Sequence, residues 1–286
     1  MAEHTPALAD YDIVIANISG GKDSQAMLDL LVERAREQEV VERIVAVHAD
    51  LGRVEWAGTK EIAEHHAESY GVRFVSVARP QGDLLAHIEE RGMFPSASAR
   101  YCTSDHKRGQ VAKVITSLVA EKRDSGELGD PPRQARVLSV MGIRADESTA
   151  RSRKPALDED EHASSSRRLV QTWLPILSWS EREVWERIRR SGVAYHHAYD
   201  LNMRRLSCCF CVLSSRRDLE IAARHNPELA QEYRQLEQKT GHTIKADLSM
   251  EQIIAAANGA GEPLYEQQAL FDEPCVDAAD IPDRST

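Results

Sequence analysis

The sequence predicts an α/β fold: a mostly parallel sheet with helices on both faces, followed by a C-terminal helical region. Three observations predict it. Short β-branched runs alternate with helix-length amphipathic stretches over the first 150 residues. A double-glycine turn joins the first run to the first helix, and from Trp179 onward the pattern is helical.

Taken in order, Asp12–Asn17 reads as a buried strand, and Ala26–Ala35 carries Met27, Leu28, Leu31 and Val32 at helical spacing. Arg43–Ala49 is a second strand, with a helix near Thr59–Tyr70. Arg73–Ala78 is a third, with a helix near Asp83–Arg91. A long helix over about Asp105–Lys122 leads through a Pro/Gly-bearing loop to a fourth strand, Val137–Gly142. The polar segment Thr149–Arg168, with its DEDE and SSSRR runs, reads as a mobile loop or a disordered linker. Ser180 and Glu183 form a capping box, with Trp179 and Val184 spaced for a hydrophobic staple, and Gly192 ends that helix. Further helices are expected over Arg217–His225, Pro227–Thr240 and Met250–Asn258. The implied units are an α/β domain over 1–178, a helical region over 179–260 and an acidic, flexible tail over 261–286.

Composition narrows the class. A chain of 286 residues with 42% hydrophobic and 29% charged residues can build a core and is neither disordered nor fibrous. No apolar run approaches a membrane span, and the N-terminus shows no secretory pattern, so a cytoplasmic protein without membrane association is expected. The net charge of −10 disfavours general nucleic-acid binding. The average hides a contrast: arginines gather between Arg144 and Arg168 and between Arg204 and Arg217, a distribution suited to a phosphate-bearing substrate.

The chemistry concentrates in Asn17-Ile-Ser-Gly-Gly-Lys-Asp-Ser24. A glycine turn entering a helix leaves backbone N–H groups facing an anion. Gly20 and Gly21 permit close approach, Ser19 and Ser24 offer hydroxyls, Lys22 offers charge, and Asp23 offers a carboxylate for Mg²⁺. A Walker A loop would need glycine at position 16, where Ala16 stands, and Ser or Thr at position 23. In parallel sheets ligands bind beyond the carboxyl ends of the strands, where this turn, Asp50 and Gly142–Glu147 are all expected. Of five cysteines, Cys208, Cys209 and Cys211 are clustered and Cys102 lies about a hundred residues upstream. On residues alone this suits an iron–sulfur cluster, structural zinc or unligated thiols.

Ser19-Gly-Gly-Lys-Asp-Ser24 matches the SGGxDS signature of the PP-loop ATP pyrophosphatases, which are Rossmann-like, adenine nucleotide alpha hydrolase-like proteins. Tyr101-Cys-Thr103 with Lys107 resembles the "CT…K" segment of the phosphoadenosine-phosphosulfate (PAPS) reductase superfamily. Gly142-Ile-Arg-Ala-Asp-Glu-Ser148 with Arg151 resembles its arginine segment, and Trp173–Trp185 its "PI…W…DVW" stretch. Together these cover roughly residues 11–240 and look most like the iron–sulfur ATPase component of DNA phosphorothioation systems.

The resemblance implies that ATP and Mg²⁺ bind, and that ATP is cleaved between its α and β phosphates. Sulfur then passes to an adenylated acceptor, a nucleic acid or a small molecule, from a donor such as a cysteine desulfurase. It assigns Lys22, Asp23, Arg144 and Glu147 to catalysis. Ser19, Gly20, Gly21, Ser24, Asp50, Gly142 and Arg151, with Lys22, Asp23 and Arg144, are assigned to the nucleotide. It favours a [4Fe–4S] cluster on Cys102, Cys208 and Cys211, with Cys209 or an open position as the fourth ligand; Cys275 reads as a spare or late-acting thiol. Two alternatives stay open: a PAPS or APS reductase releasing sulfite, and a non-catalytic nucleotide-binding redox module. The reductase lacks its Glu-Cys-Gly-Leu-His tail here, since the tail offers only Glu273-Pro-Cys-Val-Asp277.

Overall fold

The computed structural model describes residues 5–259, so the acidic tail and Cys275 lie outside the described residues. The first apolar run forms β1 (Ile13–Ile18), buried on both faces because helices cover both sides of the sheet. Val14, Ala16 and Ile18 point into one core and Ile13 and Ile15 into another, as a two-residue side-chain period dictates. The chain continues through α1 (Lys22–Glu37), β2 (Ile44–Asp50), α2 (Thr59–Ser69), β3 (Arg73–Ala78) and α3 (Leu84–Arg91). A short α4 (Tyr101–Thr103) and a π-type turn over Ser104–Arg108 precede α5 (Gly109–Asp124) and β4 (Ala135–Met141).

The sheet has six strands in the order β3-β2-β1-β4-β6-β5, parallel throughout except for β5. This is the Rossmann-like arrangement expected. The chain leaves β1 toward β2 on one side and later returns to place β4 on the other, so the crevice between the ends of β1 and β4 is the topological switch point. Helices α1, α2 and α7 (Glu181–Ser191) cover one face and α5 the other. The capping box forms as expected: the Ser180 hydroxyl accepts the Glu183 N–H at 3.3 Å, and Glu183 accepts the Ser180 N–H at 2.7 Å. Arg187 pairs with Asp29, and at 2.7 Å with Glu33, tying α7 to α1.

The expectation for Thr149–Arg168 is corrected. This stretch forms a short helix α6 (Thr149–Ser152) and a three-residue strand β5 (Leu157–Glu159). β5 pairs antiparallel with β6 (Arg168–Trp173), itself a strand in the sheet. Backbone pairing onto β6, rather than apolar burial, orders the polar run. Helices α8 (Arg216–His225), α9 (Pro227–Thr240) and α10 (Met250–Gly259) share a core with Leu51, Val54, Trp56, α3 and Cys209, so the cysteine segment is held between helical and sheet layers. Among the described residues no helix is long and apolar enough to cross a membrane.

Two fully buried histidines tie α2 to the segment that follows α7. His66 on α2 bonds the Ala194 carbonyl at 2.9 Å, and burial holds its pKa down to about 4. His196 accepts the Ala198 N–H on Nδ1 at 3.0 Å, so the Nε2 proton faces the Thr59 hydroxyl 3.1 Å away. Burial first, then His197 and His66, lowers its pKa to about 4. Since both pKa values lie below the unfolded value, their contribution to stability is complete above pH ~6.5 and lost as pH falls toward 4. The unfolding free energy read from denaturant titrations should therefore drop between pH 7 and 4.5, by about 2 kcal/mol per histidine. A flat profile across that window contradicts these assignments.

Candidate active site

Three chain segments build the loop that follows β1. Gly20 adopts φ +70°, and a Cβ there would lie 2.9 Å from both Ile62 Cγ2 and the Thr59 carbonyl, because the start of α2 presses on the turn. Ser24 Oγ accepts the Ser19 N–H at 3.1 Å and donates to the Gly21 carbonyl at 2.8 Å, with Ser19 Oγ 3.3 Å away. One serine thus stitches the turn while the other stays exposed at its surface. Gly142, past the end of β4, meets the first turn of α1: a Cβ would lie 2.4 Å from the Asp23 carbonyl oxygen and 2.9 Å from the Ser24 nitrogen.

The charged groups form a chain. Lys22, only 1% exposed, donates from Nζ to Asp23 Oδ2 at 3.0 Å and to the Arg204 carbonyl at 3.3 Å, with Glu181 at 3.6 Å. Asp23 Oδ1 accepts from Arg144 Nε at 2.6 Å, and Arg144 Nη1 meets Asp146 Oδ2 at 2.5 Å. Arg144 is 4% exposed; burial works against its charge, but Asp23 and Asp146 outweigh that and raise its pKa. Glu147 accepts the Arg144 backbone N–H at 3.4 Å, pairs with Arg151 on α6, and lies 3.8 Å from Arg205. The Arg151 pKa is lowered by burial first and then by Arg205 and Arg100, the mark of a crowded cationic pocket that an anion would relieve. Asp50, at the end of β2, accepts the Gly52 N–H at 2.7 Å and stays half-buried at the carboxyl edge of the sheet.

Thus Ser19–Ser24, Gly142, Arg144, Glu147 and Arg151 are brought together at the switch point. Their ammonium and guanidinium groups, however, are held by carboxylates and carbonyls of the chain itself. Sequence reasoning missed Tyr199, whose oxygen accepts the Lys22 N–H at 2.8 Å. It missed Glu181 and His48 as well. His48 lies behind the loop with Nδ1 3.3 Å from the Ile18 carbonyl and Nε2 3.1 Å from Glu55. Burial opposes protonation of His48, but Glu55 prevails and raises its pKa. No periodicity reports such contacts; the Lys22–Tyr199 bond spans 177 positions.

Cys102, Cys208 and Cys211 line one small cavity of about 30 Å³ with Phe94, Phe210 and Tyr233. Cys209 is fully buried beside it, its N–H bonded to the Val54 carbonyl at 2.8 Å. Burial pushes the Cys208 thiol well above its ordinary pKa; Lys107 opposes that, and Cys211, Glu55 and Cys102 add to it. Burial likewise pushes Cys209 up to about 12. Among the described residues no group of three or more His, Cys, Asp or Glu is positioned to hold a metal ion. As a donor set, three thiols facing one apolar cavity nonetheless fit an iron–sulfur cluster or a thiophilic ion.

The chain belongs to the family of the phosphoadenosine phosphosulfate reductase domain, whose sequence profile matches residues 13–214, from the first residue of β1 to just past Cys211. It is 26% identical over 204 residues to adenosine 5'-phosphosulfate reductase of Allochromatium vinosum, covering 70% of this chain and 67% of that one. It is 26% identical over 260 residues to an uncharacterized 37.8 kDa protein of Escherichia phage 186, covering 78% and 74%. Among solved structures it resembles the PAPS reductase of Candida auris in its phosphate complex, at TM-score 0.45 and 14% identity over 71% of this chain and 84% of that one. It also resembles the U34-tRNA thiolase NcsA of Methanococcus maripaludis with its [4Fe-4S] cluster, at TM-score 0.43 and 18% identity over 96% and 79%.

The Gly142 contact is backbone against backbone and cannot be relieved by a side-chain rotation. Gly142→Ala should lower stability by about 2 kcal/mol, read as a falling denaturant midpoint with unchanged slope. An alanine variant as stable as the parent would mean that β4 and α1 do not meet this closely.

Proposed function

We propose that this member of the family binds ATP with Mg²⁺ in the Ser19–Ser24 loop, cleaves it between the α and β phosphates, and supports sulfur transfer to the adenylated acceptor. The observation that carries the reading is the convergence of the intact glycine–lysine–aspartate turn with buried Arg144 in the switch-point crevice, with crowded Arg151 at the same place. A triphosphate brings the oxyanions that Lys22, Arg144 and Arg151 can share in place of the chain's own carboxylates. The amides opening α1 face the phosphates, and Asp23, once exchanged from Arg144, is a hard oxygen donor for Mg²⁺. Glu147 holds the Arg144 backbone and orients the Arg151 guanidinium through its carboxylate. An acceptor oxygen attacks the α phosphorus, pyrophosphate leaves, and a sulfur nucleophile then displaces AMP. Electrostatic stabilisation of the leaving pyrophosphate lowers the barrier to the first step.

Cys102, Cys208 and Cys211 would hold an iron–sulfur cluster, whose chemistry when bound is to present or relay sulfur. As the chain stands the three thiols line a cavity of about 30 Å³, so holding a cluster would call on the segment bearing Cys208 and Cys211 to shift. The acceptor and the donor are assigned by class only: an oxygen-bearing base or small molecule, and a persulfide-forming enzyme.

A second reading, sulfonucleotide reduction, is favoured by the similarity to an adenosine 5'-phosphosulfate reductase over 70% of the chain. The two differ in product. Pyrophosphate and AMP from ATP, in the presence of a sulfur donor and nucleic acid, are expected; sulfite from APS or PAPS with thioredoxin is not. Arg144→Lys, which keeps charge but loses the forked hydrogen bonds, should reduce pyrophosphate release by roughly 10–100-fold. Sulfite release without pyrophosphate would replace the first reading with the second.

A further inference from the structure

Tyr199 belongs to none of the motifs above, yet its hydroxyl stands where the nucleotide loop and the cysteine segment meet. The ring is buried, 8% exposed, and fixed edge-on against Trp185 at 5.1 Å between centroids and against Tyr195 at 6.4 Å. Its oxygen accepts the Lys22 N–H at 2.8 Å. Lys22 is the first residue of α1, so this amide is one of the donors a helix start offers to an anion, here turned to a phenol instead. One further tie runs in parallel: the Lys22 ammonium holds the Arg204 carbonyl at 3.3 Å. Tyr199 and Leu206 also close on the same glycine, since a Cβ on Gly21 would lie 3.3 Å from the Tyr199 oxygen and 3.4 Å from Leu206 Cβ. The two ties end on Tyr199 and on Arg204, and Cys208 follows Arg204 by four residues.

We propose that Tyr199 is a positioning residue that couples occupancy of the nucleotide loop to the segment carrying Cys208 and Cys211. The inference rests on the nucleotide reading above. An oxyanion that recruits the Lys22 ammonium withdraws it from the Arg204 carbonyl, and drawing the first turn of α1 onto the ligand weakens the amide-to-phenol bond. Segment 204–211 then loses its anchor at Arg204 while Tyr199, which closes on the same glycine as Leu206, is loosened, and the segment gains the freedom to open the thiol cavity. By linkage the effect is reciprocal: whatever fixes the segment in its open form tightens polyphosphate binding by the same factor.

Hydrogen–deuterium exchange of the full chain, with and without Mg-ATP, tests this by following peptides from residues 17–25 and 204–211. Nucleotide should protect the first peptide and accelerate exchange in the second by about fivefold or more, the scale of ordinary coupling between sites. Tyr199→Phe keeps the ring and removes only the oxygen. Its 204–211 peptide should exchange faster than the parent's without nucleotide and show a smaller further change on addition, while 17–25 is still protected. The inference is overturned if nucleotide protects 17–25 in the parent protein but leaves 204–211 unchanged. It is equally overturned if the phenylalanine variant keeps the full nucleotide response. Absence of protection at 17–25 in the parent protein refutes the nucleotide reading itself, and the coupling with it. The parent comparison decides alone should the variant not fold.

Discussion

At the carboxyl edge of the sheet one carboxylate, Asp23, is shared between a buried guanidinium and a buried ammonium. The rest of the site depends on this arrangement. Arg144 and Lys22 are each 4% exposed or less, and charges so removed from water persist only when paired. The pairing fixes the end of β4 against the start of α1 and so sets the width of the crevice at the switch point. It also means that the cations are presented with a surrogate anion in place. A ligand competes with Asp23 and Asp146, and that competition favours multiply charged oxyanions over single carboxylates.

The backbone around this cluster explains why glycine occupies positions 20 and 142. Gly20 meets the start of α2 with a positive φ, and Gly142 meets the Asp23 carbonyl with no room for a methyl group. α2 and β4 thereby hold the two sides of the turn. Behind it, His48 bridges the Ile18 carbonyl and Glu55, and the Cys209 N–H is anchored on the neighbouring Val54 carbonyl. The Ser19–Ser24 turn and the cysteine segment are therefore linked through His48 and the residues that follow β2.

Much of the sheet was legible because fully buried parallel strands read as continuous β-branched runs. β1, β2 and β3 fall within a residue or so of their expected bounds, and β4 starts two residues earlier. α1 begins four residues before its apolar stripe, since its first turn, Lys22-Asp-Ser-Gln25, is polar and capped by Gly21. β5 was not legible: Leu157-Asp-Glu159 is short and polar and exists only by pairing with β6. The glycine, arginine and cysteine motifs were each visible. Their mutual pairing was not, because a buried lysine defies the usual exposure of that residue and Tyr199 reaches it from a distant turn.

A polyphosphate must displace Asp23 from Arg144 and Lys22 for the crevice to work as proposed. Calorimetric titration of the intact chain with Mg-ATP at low and at moderate salt tests it most directly. A saturable one-to-one isotherm that weakens as salt rises is predicted, because the contacts replaced and formed are ionic. Absence of saturable heat from folded protein at either salt concentration would contradict it.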